Sequence, residues 1–193
     1  MPEVAIGTRR IELRWGDITA LGRHVGAIVN AATQTLRPGG GVSTAIHEAG
    51  GPEIAVDCLW IGRIETTQAV ATTAGKLEAE IVIHAVGPVW QGGHMEEDRM
   101  LAATYRNCLD IATERGLTSI AFPSLSTGIF GYPIDRASAI AIGTAAAFLK
   151  RGGSLEEVIL VQYTDEDHGI YTAALERWER LQAARAAQAV ASA

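Results

Sequence analysis

Short, continuous apolar runs alternate along this chain with longer stretches whose apolar residues recur at helical spacing. The short runs predict strands. The strongest of them are apolar at almost every position, which is typical of strands buried on both faces of a parallel sheet. The predicted strands span residues 10–15, 27–31, 66–73, 80–86, 119–123 and 158–163.

Helical patterns separate these strands. A short helix is expected after the glycines at 39–41, and a second after Pro52, since proline fits the first turn of a helix. A third is expected to begin at residues 96–98, where three acids favour a helix start. Two more are predicted over residues 134–150 and from about Gly169 onwards.

Strands that alternate with helices predict an α/β fold. We expect three layers, α/β/α, around a central mixed, largely parallel sheet. A chain of 193 residues with no internal repeat or linker suggests one domain. We assign this domain to residues 1–182 and residues 183–193 to an alanine-rich C-terminal tail, expected to be frayed or disordered.

Charge and composition narrow the classes of function. The net charge is −6 and no Lys/Arg cluster stands out, so binding to a nucleic-acid backbone is not expected. No apolar run reaches membrane-spanning length, and residues 1–10 lack the apolar segment of a secretion signal. Cys58 and Cys108 form no Cys-x-x-Cys pair, which favours free thiols in a reducing compartment. A cytoplasmic protein without membrane contact is expected.

The histidines and cysteines show no metal-ligand spacing, so no metal site is expected. His84 lies within an apolar run, which predicts a hydrogen-bonded histidine in the core. His47 follows the glycine run on a predicted helix, and it is expected to pack against the glycine loop.

Two loops of small residues follow predicted strands. The first contains Gly39 to Gly41, and the second spans residues 124–133. Glycine lets a backbone approach a ligand closely, and a helix start offers unpaired N–H groups to an anion. Both loops should lie at the carboxyl edge of the sheet, which suggests a diphosphate between them. A structural turn is the alternative for each loop. The spacings of a dinucleotide-binding fingerprint and of a P-loop are both missing.

The chain contains, in this order, Gly16-Asp17-Ile18-Thr19, residues 27–32, residues 39–42 with 45–47, residues 82–88 and residues 123–133. These five motifs together resemble the macrodomain family of ADP-ribose-binding modules. The resemblance covers roughly residues 11–181 and is nearest to the MacroD-type branch, which contains O-acetyl-ADP-ribose deacetylases and hydrolases of ADP-ribosylated acidic side chains. It implies ADP-ribose or an ADP-ribosylated protein as partner and no cofactor.

The resemblance implies roles for individual residues. Asp17 would accept a hydrogen bond from the adenine amino group, Ile18 would pack on the ring, and Tyr163 could stack on it. The glycine loop would approach the distal ribose and the diphosphate, and the second loop would wrap the diphosphate with N–H groups. The remaining expected ligand contacts are Asn30, Thr33, Gly39, Gly40, Gly41, Val42, Ser126, Thr127, Gly128, Ile129 and Phe130.

Two positions depart from the MacroD-type pattern. Thr33 stands where members have an Asn that contacts the distal ribose, and Ser43 stands where they usually have an Asp beside the bond to be cut. Ser43 is a candidate catalytic residue, although it cannot serve as a carboxylate base at neutral pH and could instead cap the helix. The expected function is hydrolysis of ADP-ribose esters by water assisted by the substrate phosphate. The alternative is a non-catalytic ADP-ribose reader.

Overall fold

The computed structural model describes residues 2–191, which form a seven-stranded sheet and five helices. The strands are β1 (Glu3–Ile6), β2 (Arg9–Trp15), β3 (Val25–Ala31), β4 (Ala69–Thr73), β5 (Ala79–Ala85), β6 (Ser119–Phe122) and β7 (Glu157–Gln162). The helices are α1 (Gly41–Gly50), α2 (Pro52–Ile61), α3 (Glu97–Glu114), α4 (Ile134–Lys150) and α5 (Asp165–Ala191).

The strand order is β1-β2-β7-β6-β3-β5-β4. The five inner strands run parallel to one another, and β1 and β4 pair antiparallel at the two edges. The predicted fold class, an α/β protein with a mixed, largely parallel sheet, is confirmed. Strand β1 was not predicted from the sequence. Its four residues alternate between exposed and buried positions and are too few to give a clear pattern.

Each face of the sheet carries its own apolar core. One core packs the sheet against α3, α4 and α5 and includes Leu101, Ala141 and Tyr171. The other packs it against α1 and α2 and includes Ile46 and Ile54. This arrangement gives the expected three layers. Because the parallel strands all end at one edge, their loops are gathered there.

The alanine-rich C-terminal segment differs from its expected structure. Instead of a frayed tail, α5 continues through Ala191, although residues 183–191 are almost entirely exposed. Alanine has the highest helix propensity, so a helix already anchored by Tyr171 and Leu175 extends without further packing. Residues 192 and 193 lie outside the described part of the chain. Among residues 2–191, no helix is both long enough and apolar enough to cross a bilayer.

Candidate functional site

A cleft of about 660 Å³ opens at the carboxyl edge of the sheet. It lies where the chain leaves β2, β3, β5, β6 and β7, which is the region where open α/β sheets bind ligands. All the predicted site residues except Asn30 line this cleft. They are Asp17, Ile18, Thr33, Gly39, Gly40, Gly41, Val42, Ser43, Ser126, Thr127, Gly128, Ile129, Phe130 and Tyr163. Their individual contacts with a ligand stay predictions.

Asp17 holds the turn that follows β2 at one end of the cleft. Its Oδ1 accepts hydrogen bonds from the Thr19 backbone N–H at 2.8 Å and from the Thr19 hydroxyl at 2.7 Å. Among the described residues its Oδ2 has no hydrogen-bond partner. The same carboxylate can therefore form the turn through one oxygen and accept from a ligand through the other.

The glycine loop brings its backbone close to the opposite wall. Gly40 and Gly41 have φ angles of +103° and +52°, which favour glycine. A Cβ on Gly40 would lie 3.5 Å from Ile129 Cδ1, so the two small-residue loops approach each other across the cleft. Helix α1 begins at Gly41, and its unpaired N–H groups and positive dipole end suit an anion held between the loops.

Ser43 is not the cap of α1. Gly40 occupies the cap position without a side-chain hydrogen bond, and Ser43 is the third residue of the helix. The residue is 3% exposed, and its Oγ lies 3.4 Å from Asn30 Nδ2. Ser43 therefore lies at the base of the cleft, with a buried amide beneath it.

Ser126 is a non-glycine residue with a positive φ, +65°, in the second loop. Such backbone strain costs about 1–2 kcal/mol and is common at ligand sites. Its buried Oγ has no hydrogen-bond partner among the described residues. Gly87 makes room for this hydroxyl, because a Cβ there would lie 2.1 Å from Ser126 Oγ. The strained loop therefore presents an unpaired polar group in the cleft wall.

Asn30 lies beneath the cleft rather than in its wall. The residue is fully buried, and its Nδ2 lies 3.0 Å from His84 Nδ1. The expected direct contact between Asn30 and a ligand is not supported by this position. Its neighbour on the strand, Ala31, faces the cleft because successive side chains alternate across the sheet.

His84 is a satisfied core histidine, as predicted. It also lies beside Cys58 and His47, and the ligand atoms of these three residues lie within 4.8 Å of one another. Burial, reinforced by His47, lowers the pKa of His84 to about 4, although Asp57 opposes the shift. Burial, with Asp57, raises the pKa of the Cys58 thiol to about 11. A metal would have to deprotonate this thiol and displace a hydrogen bond of His84, so we assign no metal site to the cluster.

Comparison with known proteins identifies the family. A family model of the Macro domain matches residues 29–141. An O-acetyl-ADP-ribose deacetylase of Salmonella typhimurium is 46% identical over 168 residues, which cover 85% of this chain and 93% of that protein. This chain belongs to the macrodomain family. A macro domain-containing protein of Caldanaerobacter subterraneus is 45% identical over 175 residues, covering 89% of this chain and 98% of that one.

Solved macrodomain structures share its architecture. An Oceanobacillus iheyensis macrodomain with ADP superposes with a TM-score of 0.86 at 35% identity, covering 93% of this macrodomain and 96% of that chain. A Trypanosoma brucei macrodomain in complex with ADP-ribose has a TM-score of 0.79 at 34% identity, covering 86% of this chain and 68% of that one. The resemblance inferred from the five motifs is confirmed.

The macrodomain cleft also contains residues that the sequence did not single out. Thr164 lies between β7 and α5, and Asp167 lies in the first turn of α5. Both residues therefore lie beyond the carboxyl end of a parallel strand. Their position after a predicted parallel strand is enough to identify them as candidate cleft residues, even without a motif.

Glu97 organises a loop that supports the second cleft loop. Its carboxylate accepts hydrogen bonds from the N–H groups of Gln91 and Gly93, both at 3.0 Å, and of Met95 at 2.6 Å. Within this loop, the Trp90 N–H donates to the Phe130 carbonyl at 2.9 Å. Burial acts to raise the pKa of Glu97, but hydrogen bonds from these N–H groups and its own together lower it.

This shift predicts an acid-sensitive loop. Because the folded-state pKa lies below the unfolded one, the stability contributed by Glu97 is complete above the unfolded pKa, about 4.3. It is lost as the pH falls through the folded-state pKa. We expect the stability difference between wild type and Glu97→Gln, measured by urea unfolding, to shrink as the pH falls from about 7 to about 3. Glu114→Gln, at an exposed position of the same helix, is the control. A difference that stays constant across this range would contradict the assignment.

Proposed function

We propose that this macrodomain binds ADP-ribose and hydrolyses ADP-ribose esters, with O-acetyl-ADP-ribose and ADP-ribosylated Asp or Glu side chains as the substrate class. The observation that carries the proposal is the pair of small-residue loops that face each other across one cleft, with a free carboxylate oxygen of Asp17 at one end. A relative at 46% identity is named O-acetyl-ADP-ribose deacetylase, and the T. brucei relative was solved with ADP-ribose.

Adenine would bind between Ile18 and Tyr163. Asp17 Oδ2 would accept the hydrogen bond from the adenine amino group. Tyr163 is 77% exposed at the end of β7, so its ring is available for stacking. Adenine would thereby occupy one end of the cleft and direct the rest of the ligand towards the loops.

The diphosphate would lie between the glycine loop and residues 126–131. The N-terminus of α1 and the backbone N–H groups of the second loop compensate its charge without a basic side chain. This explains how a chain with a net charge of −6 could hold an anion. The distal ribose would then reach Thr33 and Ser43 at the other end of the cleft.

The reaction would be attack of water on the ester carbonyl. The water oxygen bonds to the carbonyl carbon, the bond from that carbon to the ribose oxygen breaks, and the ribose oxygen takes a proton. The products are a carboxylic acid and ADP-ribose. Because Ser43 cannot act as a carboxylate base at neutral pH, the ligand's own phosphate would accept the proton of the water. A positioned general base typically contributes about 10²- to 10⁴-fold, so slow turnover is consistent with this arrangement.

Acetate release from O-acetyl-ADP-ribose tests the proposal. We expect turnover above the uncatalysed rate that free ADP-ribose inhibits. Binding of ADP-ribose without turnover would instead make the protein a reader. In that case the double variant Thr33→Asn with Ser43→Asp should gain activity. If wild type already turns over substrate and these two substitutions leave its rate unchanged, the hypothesis of a non-catalytic reader is excluded.

Two further proposals concern the cellular setting. An ADP-ribosylated protein is the proposed macromolecular partner, since its modified side chain carries the same ligand. A cytoplasmic location is proposed from the free, buried thiols of Cys58 and Cys108. These cysteines lie in the two separate cores of the sheet, so they cannot form a disulfide with each other.

A further inference from the structure

Helix α2 carries apolar side chains on the side that faces away from the sheet. Its inner face is formed by Ile54 and Cys58, which are buried in the core. On the outer face, Val56, Leu59 and Trp60 are 50%, 70% and 84% exposed. Residues three and four apart are neighbours on a helix surface, so these three side chains form one contiguous patch, the α2 stripe. A helix that is apolar on both faces is typically covered on both, which points to a partner for the α2 stripe.

The end of α2 is joined to the loop that forms the distal end of the cleft. Gly62, with a φ of +81°, ends the helix, and the chain then meets the loop after β3. The Ile64 N–H donates to the Gln34 carbonyl at 3.0 Å, and the Gln34 side-chain amide donates to Glu65 at 3.0 Å. Gln34 directly follows Thr33, which lines the cleft. The α2 stripe and the distal end of the cleft therefore belong to one connected surface.

The distance between these two features is short enough for a peptide to span. The chain from Trp60 to Ile64 extends over at most about 15 Å, since an extended chain advances by about 3.3–3.6 Å per residue. Adding the hydrogen bond to Gln34 and one further residue places Trp60 Cα within about 25 Å of Thr33 Cα. An extended polypeptide covers this distance in about seven residues. A segment attached to a ligand at the distal end of the cleft can therefore reach the α2 stripe.

The size of the α2 stripe distinguishes between possible partners. Its three side chains together expose on the order of 400 Å², given about 150–250 Å² for a single aromatic residue. A stable complex buries about 800 Å² on each partner, so this surface alone would not hold a second copy of the chain. A polypeptide that is already tethered through ADP-ribose needs less area, because the first contact raises its effective concentration at the second.

We propose that the α2 stripe binds the polypeptide segment that flanks an ADP-ribosylated side chain, through an apolar side chain of that segment. The inference rests on the proposed binding of ADP-ribose and deepens it by naming the surface for a protein substrate. The ADP-ribosyl group would lie in the cleft, and the segment would pass Gln34 to reach Leu59 and Trp60. O-acetyl-ADP-ribose carries no polypeptide and would not contact the α2 stripe. The stripe would therefore favour modified proteins over the small ester.

Calorimetric titration with ADP-ribose and with two modified peptides tests the proposal. Each peptide has about seven residues on either side of a central side chain that carries ADP-ribose. An amide nitrogen replaces the ester oxygen of the linkage, so hydrolysis does not interfere. One peptide has leucines in its flanks, and the other has serines at the same positions. We expect wild type to bind the leucine peptide about tenfold more tightly than the serine peptide, from burial of apolar surface. Trp60→Ser should remove this preference and leave the affinity for ADP-ribose unchanged.

Leu59→Ser should reduce the preference in the same way, and Leu181→Ser is its matched control. Leu181 is 52% exposed on α5, which packs on the other face of the sheet, so the control should keep the wild-type preference. Equal binding of the two peptides by wild type, or a preference that survives both Leu59→Ser and Trp60→Ser, would overturn the proposal. So would equal weakening of ADP-ribose and peptide in these variants, since the substitutions would then act through the cleft.

Sedimentation of the same proteins tests the other possible occupant. We expect wild type to sediment as it does after Trp60→Ser. A wild-type dimer that Trp60→Ser dissociates would overturn the proposal and assign the α2 stripe to a second copy of the chain. If wild type binds neither ADP-ribose nor either peptide, the proposed function is refuted, and this inference fails with it.

Discussion

Asp17→Ala weakens ADP-ribose binding by about 1.5–3 kcal/mol, or roughly 10- to 150-fold, if its free oxygen accepts the adenine amino group. The reason is that a hydrogen bond to an ionised acceptor is stronger than one between neutral groups. Calorimetry gives the change in affinity, and thermal unfolding shows whether the variant is still folded.

Asp17→Asn distinguishes the two roles of this side chain, ligand binding and formation of the turn after β2. Its Oδ1 can still accept from the Thr19 N–H and hydroxyl, but its amide N–H groups would face the adenine amino group. We therefore expect this variant to keep the stability of wild type and to bind ADP-ribose weakly. Wild-type affinity in Asp17→Asn, or in a folded Asp17→Ala, would show that the carboxylate serves only the turn.

Gly75→Ala should destabilise the fold by about 2–5 kcal/mol, from strain in the left-handed region and from overpacking. Gly75 has a φ of +58°, and a Cβ there would lie 2.0 Å from the Gly50 carbonyl oxygen and 2.9 Å from its carbon. These are backbone atoms at the end of α1, so no side chain can rotate away. Because Lys76 N–H also donates to the Gly50 carbonyl at 2.8 Å, the clash should loosen the helix whose other end forms the glycine loop.

Gly7→Ala is the matched control for this prediction. Gly7 has a φ of +64°, but a Cβ there would meet nothing within 4 Å. It should therefore destabilise by only the backbone strain, about 1–2 kcal/mol. Urea unfolding of the two variants gives the comparison. Equal effects would show that the close approach of Gly75 to Gly50 is unimportant.

Most of the cleft could be predicted from sequence because its residues lie in loops directly after strands. The carboxyl-edge rule places such loops together without knowledge of side-chain packing. The position of Asn30 relative to the cleft could not be predicted in this way, because Asn30 lies inside a strand that is buried on both faces. Periodicity does not say which face of such a strand meets the cleft and which meets His84.

The start of α1 and the histidine cluster could not be predicted for different reasons. A serine after glycines is typical of a helix cap, but here Gly40 is the cap residue. The helix therefore begins at Gly41 and includes Ser43. His47, Cys58 and His84 come from α1, α2 and β5, so no sequence spacing relates them. Only the packing of both helices against the sheet brings these side chains together.

Release of ADP-ribose from a glutamate-linked ADP-ribosylated protein, followed over time with the purified chain, tests the central claim most directly. We predict release in proportion to enzyme and time, with inhibition by free ADP-ribose. Such turnover would mean that the cleft and the substrate phosphate suffice although Thr33 and Ser43 replace the MacroD-type Asn and Asp. If the protein binds ADP-ribose but releases none from this linkage, the claim of hydrolysis is contradicted. The protein would then be a non-catalytic ADP-ribose reader.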